Sequence, residues 1–388
     1  MGKQIWIILI ISTFLLSGCW DFKQIEKQLY FNSLGIDYVD HKFVMYGQVI
    51  SFENIAKQEG VSQRTPPLID IVKGQGETID DAGFDLYPAS PQRISWDHVS
   101  AIVYSKRLLN SDMLNEVNDF LSRFLQIRDT VWVFGTELPI EDILFSTPIL
   151  KTSPLFSQLN SPDDITKQLS RYKPIKLFEL DALNFEPATK MELPFLSITK
   201  QRWKEQKKRH PSLIINEMGF ENNKGKFVSM PIDDMHGYQY FNDRDFRNKL
   251  KLKKNGKPIS VGSIIHIKSK ITPVTLKPGK IQVNLKVKMD YQIIQLNEDI
   301  GNRQLEKLSQ RVITNQIKNV LKKSIENDID LLGISDSIYR QDPKFWKKEN
   351  KDGMIPLDQV EIKKMDIHCH ILNTSELKKR TFESKLHK

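Results

Sequence analysis

The chain has 388 residues, 39% of them hydrophobic and 27% charged, with 57 Lys and Arg against 48 Asp and Glu for a net charge of +9. Together with a mean hydropathy of −0.41, these values exclude a polytopic membrane protein and a disordered chain. They leave room for two or three domains at about 150 residues each. Two cysteines, Cys19 and Cys369, exclude a disulfide scaffold, so stability must come from a core, which this length permits.

The first element is the only strongly apolar run. Lys3 precedes unbroken apolar residues 5–11, which residues 14–16 extend past Ser12 and Thr13. A spanning helix needs about 20 such residues, so this run fits the h-region of a secretory signal. Small Ser17 and Gly18 follow, then Cys19. Small side chains expose the backbone to a signal protease, and a thiol can carry a diacylglyceryl group as a stable thioether. Leu16-Ser17-Gly18-Cys19 resembles the bacterial lipobox. The reading is a lipoprotein signal peptide at 1–18 with Cys19 as the lipidated first residue of the mature chain. A core helix with Cys19 buried, or an uncleaved signal anchor, are the competing readings.

Residues 20–30 are polar and are expected as a tether. Residues 32–50 predict two strands around a turn at 39–42, and 51–67 a loop. Residues 70–90 predict strand, turn and helix, with Gly74 and Gly76 in the turn and Thr78 and Asp81 as a near capping box. Residues 93–105 predict one strand. Residues 111–124 predict an amphipathic helix with Ser111 as N-cap and Met113, Leu114, Val117, Phe120, Leu121 and Phe124 on one face. A short buried strand is expected at 130–135 and a helical turn at 140–145. Residues 146–200 are mixed and punctuated by proline. The polar run 200–211 has no periodic apolar face and is expected as the main domain boundary, between an N-terminal mixed α/β region at 19–200 and a C-terminal domain at 211–388.

In the second half, 211–230 predicts a β pair turning at 222–225. Two long alternating strands follow at 259–275 and 280–296. The longest helix is expected at 303–329, with Leu305, Leu308, Val312, Ile313, Ile317, Val320, Leu321 and Ile325 on its apolar side. A closing strand at 360–372 has a register slip at Lys363 and Lys364 that a β-bulge would explain. The fold class is α+β: a multi-part mixed α/β body whose C-terminal domain has long antiparallel strands with one long helix packed across them.

The residues that could carry chemistry are few. Gly74-Gln75-Gly76 matches neither phosphate-loop pattern, and Glu77, Asp80 and Asp81 would repel phosphate, so it reads as a tight turn. Asp97 and His98, adjacent on a strand, would point to opposite faces. His368 and His370 share one strand face, with Cys369 on the other as a small core hydrophobe. Two ligands at that spacing need one or two more, and His266 could supply one if the strands pair. No metal, cofactor or catalytic residue is assigned, and the chain is not read as an enzyme. The basic runs at 200–210 and 251–257 read as solvated loops, or as attraction to anionic headgroups at about 1 kcal/mol per basic residue. Nucleic acid is not expected, because no basic and aromatic residues interleave.

The order of motifs resembles the Ger(x)C family, the C subunits of GerA-type spore germinant receptors. The resemblance starts at Gly18-Cys19-Trp20-Asp21 and continues through Leu34-Gly35-Ile36-Asp37, Gly76-x-Thr78-Ile79-x-x-Ala82, the Trp96 and His98 stretch, and Arg128-Asp129. In the second half it rests on Asp330-x-x-Gly333, Tyr339-Arg340 and Pro343-Lys344-x-Trp346. Residues 225–241 follow the family pattern only loosely. The resemblance implies a lipoprotein, anchored and palmitate-modified at Cys19, on the outer face of the spore inner membrane. It implies receptor A and B membrane subunits as partners, no catalysis, and a role in nutrient-triggered germination. The alternative is a substrate-binding lipoprotein of a transporter, whose two doubly wound lobes the consecutive long strands do not suit.

Overall fold

The computed structural model describes residues 28–50, 69–124, 126–168, 171–242, 248–298 and 300–372. Strands β1 (Gln28–Val39) and β2 (Lys42–Ile50) form the expected hairpin. Asp40 and His41 turn it with φ of 49° and 60°, the two left-handed residues a tight hairpin needs to match strand twist. Of the tether expected at 20–30, residues 28–30 lie in β1 and 20–27 fall outside the described residues.

Strands β3 (Ile69–Gly76), β4 (Arg93–Ser95), β5 (Ala101–Ser105), β6 (Trp132–Thr136), β7 (Ile175–Lys176), β8 (Glu192–Glu205), β9 (Lys208–Glu221) and β10 (Phe227–Pro231) join them. Among the described residues these make a ten-stranded sheet ordered β10-β9-β8-β6-β5-β1-β2-β3, with β4 on β1 and β7 on β6. Its centre is parallel, β1 with β5, β5 with β6 and β6 with β8. Parallel neighbours need crossovers. Those are α1 (Ile79–Phe84), α2 (Lys106–Leu109), α3 (Leu114–Arg123), α4 (Ile140–Leu144), α5 (Asp163–Gln168) and α6 (Leu177–Phe185), with intervening loops. Central parallel strands are covered on both faces, and all five residues of β5 are buried.

Local chemistry starts and stops these elements. Thr78 and Asp81 form the capping box of α1, each side chain bonding the other's backbone N–H. A Cβ on Gly76 would come within 2.4 Å of Asp81 Cβ, so the turn is glycine-dependent. Ser111 does not cap α3 directly. Its Oγ accepts from Met113 N–H at 3.2 Å, and the helix starts after Met113.

One expectation needs correction, and one stretch without an assigned element is a pair of strands. Residues 93–105 are not one strand: Trp96 is buried, and Val99 N–H donates to Trp96 C=O, closing a turn between β4 and β5. Residues 200–211 are the turn end of the β8–β9 hairpin, with Trp203 opposite His210 and Glu205 opposite Lys208. Residues 200–209 are exposed. With neither face buried there, no apolar alternation marks the strands in the sequence.

The second sheet, ordered β11-β12-β13-β14, holds β11 (Asn248–Lys254), β12 (Lys257–Lys277), β13 (Lys280–Leu296) and β14 (Val360–Leu372). The first three are antiparallel; β14 lies parallel to β13. The chain returns to it through α8 (Asn302–Asn327), α9 (Ile334–Gln341) and α10 (Pro343–Glu349), while α7 (His236–Asn242) links the two sheets. The bulge appears where the sequence places it. Val283 pairs with Ile362 and Asn284 with Lys364, leaving Lys363 extra.

Helix α8 lies along β14 and buries Leu305, Ile313, Ile317 and Val320 in one cluster with the inner face of the sheet, where Ile281, Val283, Leu285, Val287, Met289 and Tyr291 alternate along β13. Each such side chain contributes about 1.5–3 kcal/mol. Ile325, expected on the apolar side, is exposed. One hydrophobic cluster runs through both sheets, from Phe134, Ile140 and Leu196 to Leu285 and Ile313. A second, around Phe31, Ile36, Trp96 and Tyr104, fills the other side of the large sheet.

Candidate functional site

Cys19 lies outside the described residues. Cys369 is buried on β14, facing α8, and burial pushes its thiol up to about 11. His368 and His370 face solvent on the opposite side, as expected. His368 Nε2 lies 3.0 Å from Asp366 Oδ1 and His370 Nδ1 lies 3.9 Å from Glu306 Oε1. His266 sits in a β12 bulge at φ 53°, its Nδ1 3.0 Å from Asp290 Oδ2. Strand β13 separates β12 from β14, so His266 does not pair with the other two across adjacent strands. Among the described residues no group of His, Cys, Asp or Glu has metal-holding geometry.

Asp97 and His98 lie in the turn after β4. The His98 ring meets Tyr30 edge-on at 4.7 Å. Asp97, His98, Arg128 and Trp132 line a depression of 360 Å³ beside the beginning of β1.

A buried charge sits at the far end of β1. Asp37 closes the Leu34-Gly35-Ile36-Asp37 stretch, its side chain only 3% exposed. Arg107, at the start of α2, donates to both carboxylate oxygens. Ser105 Oγ and Tyr38 N–H donate to Asp37 Oδ1 as well. With no His base beside Ser105, this set cannot work as a hydrolytic triad. It locks the ends of β1 and β5 together. The sequence signal was the one charged residue of a largely buried strand; nothing local pointed to Arg107, 70 positions away.

The second constellation joins the two halves. Asp330 accepts from Gly333 N–H at 3.1 Å and from Ser335 N–H at the start of α9. Burial pushes its carboxyl up, and these backbone donors hold it back. Ser335 Oγ accepts from Trp346 Nε1 at 2.9 Å and from Ile355 N–H at 3.1 Å. Trp346 packs edge-on against Tyr339 at 5.1 Å. Pro343 opens α10, capped by Asp342. Arg340 Nε bonds both oxygens of Asp336 at 2.9 Å, and its Nη2 donates to Glu186 Oε1 at 3.0 Å. The residues 330–346 singled out in the sequence thus form one clasp, tied to α6 through Glu186. The left-handed exit of α8 is Asp328, at φ 58°, whereas Gly333, at φ 77°, admits α9.

A cavity of 150 Å³ opens beside the clasp, lined by Glu192, Tyr238, Asn242, Asp330 and Asp336 among others. Tyr238 O–H donates to Glu192 at 2.7 Å. Burial pushes the Glu192 carboxyl above its ordinary value; the Tyr238 bond and the Lys173 charge partly offset it. These contacts position and join. None pairs a nucleophile with a base.

Residues 21–198 match the family described as "Spore germination protein N-terminal domain", and residues 220–373 match "Spore germination B3/ GerAC like, C-terminal". The interval between the matches holds the turn end of the β8–β9 hairpin. The chain is 24% identical over 376 residues to "Spore germination protein KC" of Bacillus subtilis (strain 168), with 88% of each chain covered. It is 24% identical over 139 residues, 35% of each chain, to "Spore germination protein B3" of the same organism. The fold is similar to the "Crystal Structure of the GerBC protein", with a TM-score of 0.52, 16% identity, and coverage of 88% of this chain and 97% of that one.

Proposed function

We propose, from the premise that this chain belongs to the Ger(x)C family of spore germination proteins, that it is the C subunit of a nutrient germinant receptor. It acts as a non-enzymatic lipoprotein on the outer face of the spore inner membrane, beside A and B membrane subunits. The observation that carries this reading is the alignment with spore germination protein KC across 88% of both chains, with both family matches in order. In this reading residues 1–18 are a signal peptide, 19–200 the N-terminal region and 211–388 the C-terminal domain, joined by the β8–β9 hairpin.

The anchor is Cys19. A diacylglyceryl group supplies the two chains that stable anchoring needs. No helix among the described residues is long and apolar enough to cross a membrane. Nine residues, 19–27, would then separate lipid from β1, at most about 30 Å when extended.

A docking role is supported at the other end of the sheet. Ile36, Tyr104, Gly135 and Phe195 lie level across β1, β5, β6 and β8. The turn end of β8–β9 therefore points away from Gln28. Beside it Leu150 is 75% exposed and Trp203 is half exposed, with His210 reaching Thr147 C=O at 3.2 Å. An exposed apolar set of this kind suits a partner subunit.

The test is Cys19→Ala, fractionated after labelled-palmitate feeding. The variant is expected unlabelled in the soluble fraction. Full retention on membranes would refute anchoring through Cys19.

A further inference from the structure

On the outer face of the second sheet, Lys268 stands directly opposite Lys288, and Lys270 directly opposite Lys286. All four are exposed. Like charges opposed across a sheet destabilise it, so this square of lysines is not explained by folding. Two carboxylates offset part of it, Asp290 beside His266 and Asp366 beside His368, each at 3.0 Å, and the four lysines outnumber them. Among the described residues none of the four lysines makes an ion pair.

The neighbouring strands continue the charge. His368 lies beside Lys288 on β14 and Lys364 beside Asn284. Lys251, on the same face of β11, pairs with Val261. The middle of this face is a shallow depression of 460 Å³ lined by Lys268, Lys286, Lys288, His266, His368 and His370, with Asp290 the one acidic residue among them. The lysines alternate with Val287 and Met289, which turn inward and are buried. The charge is therefore presented on one side only.

We propose that this face binds the phosphate headgroups of an anionic bilayer. The positive groups spread in a plane across strands about 4.8 Å apart, wider than one small anion can span. None of the residues lining the depression exposes a large apolar side chain, unlike the apolar centre of a protein-docking surface. The physiological sense rests on the lipoprotein reading above. The binding is tested without the lipid, so the two can fail separately.

The experiment uses the chain from Trp20 onward, which keeps every described residue and lacks Cys19. It is sedimented with phosphatidylcholine vesicles with and without phosphatidylglycerol. Binding is expected only with phosphatidylglycerol, and it should fall as salt is raised, because screening acts over about 10 Å at 0.1 M. Each lysine near an anionic surface is worth roughly fivefold in partitioning. K268Q/K270Q/K286Q/K288Q should therefore lose at least about a hundredfold. K200Q/R202Q/K204Q/K208Q removes the same charge from the β8–β9 hairpin and should bind as the parent does.

Equal losses in both variants would overturn the site in favour of overall charge, and absence of binding by the parent would overturn it outright. Binding of inorganic pyrophosphate without vesicle binding would replace the bilayer by a soluble anion. The lysine variant should unfold in urea at the parent's midpoint or above, since opposed charges are relieved. A lower midpoint would make the lysines structural and refute the inference.

Discussion

Gly35 sits buried in β1 with no room for a side chain. A Cβ built there would lie 2.2 Å from Ile140 Cγ2 and 3.4 Å from Tyr46 Cβ, where carbons ordinarily rest about 3.5–4.0 Å apart. Two terms of opposite sign compete in Gly35→Ala. The smaller unfolded-state entropy of Ala favours the variant by about 0.5–1 kcal/mol. Overpacking costs about 1–3 kcal/mol, near the upper end here, because Ile140 is buried and its β-branched side chain has a stiff χ1. A net loss of about 1–2 kcal/mol follows. Ile140→Ala alone should cost about 2–5 kcal/mol through its cavity, but it clears the space above Gly35. In that background Gly35→Ala should become neutral or stabilising, a coupling within the 0.5–3 kcal/mol seen for residues in contact. Urea unfolding of the four chains, followed by tryptophan emission, measures it. An equal cost of Gly35→Ala in both backgrounds would refute the packing of α4 on β1.

Arg107→Met should cost about 2–3 kcal/mol in the same assay, since it leaves the buried Asp37 carboxylate with only neutral donors. Lys106→Met breaks an exposed pair with Glu137 at 2.5 Å and should cost about 0–1 kcal/mol; equal effects would contradict the burial of Asp37. Cys369, pushed up to about 11, should be almost entirely protonated at pH 8 and resist a thiol reagent until the chain unfolds. Prompt labelling of native protein lacking Cys19 would contradict the placement of β14 under α8. Glu192, raised above its ordinary 4.5 by burial, favours the protonated folded state. Its contribution is fully present below the unfolded value and is lost as pH rises through the folded one. Glu192→Gln keeps an acceptor for Tyr238, so its melting temperature should gain on the parent from pH 4 toward pH 8; a constant difference would refute this.

The elements most legible in the sequence are those with one wet and one dry face. Strand β13 alternates cleanly through Tyr291, β12 does so between its bulges, and the two polar residues at 363–364 gave away a bulge. Helix α8 was legible except at its last turn, where Ile325 carries the apolar period beyond the surface that could cover it. The β8–β9 hairpin was not, because its outer half is exposed on both faces and its pairing depends on a partner strand rather than on periodicity. The break between β4 and β5 was hidden by a β-prone run in which Trp96 turns into the core. The site divides the same way. The 330–346 signature could be named by resemblance, but that its residues hold one another through Ser335 and Trp346 needed coordinates. The Asp37–Arg107 pair is fixed by strand neighbours far apart in the chain, which no local pattern encodes.

Membership of a receptor complex is tested most directly by solubilising dormant-spore membranes in mild detergent and recovering this chain through a C-terminal tag. A transporter-like multi-span protein and a second membrane subunit should come with it in fixed proportion. Recovery of the chain alone, or with the components of an ATP-driven transporter, would contradict its assignment as a germinant-receptor subunit.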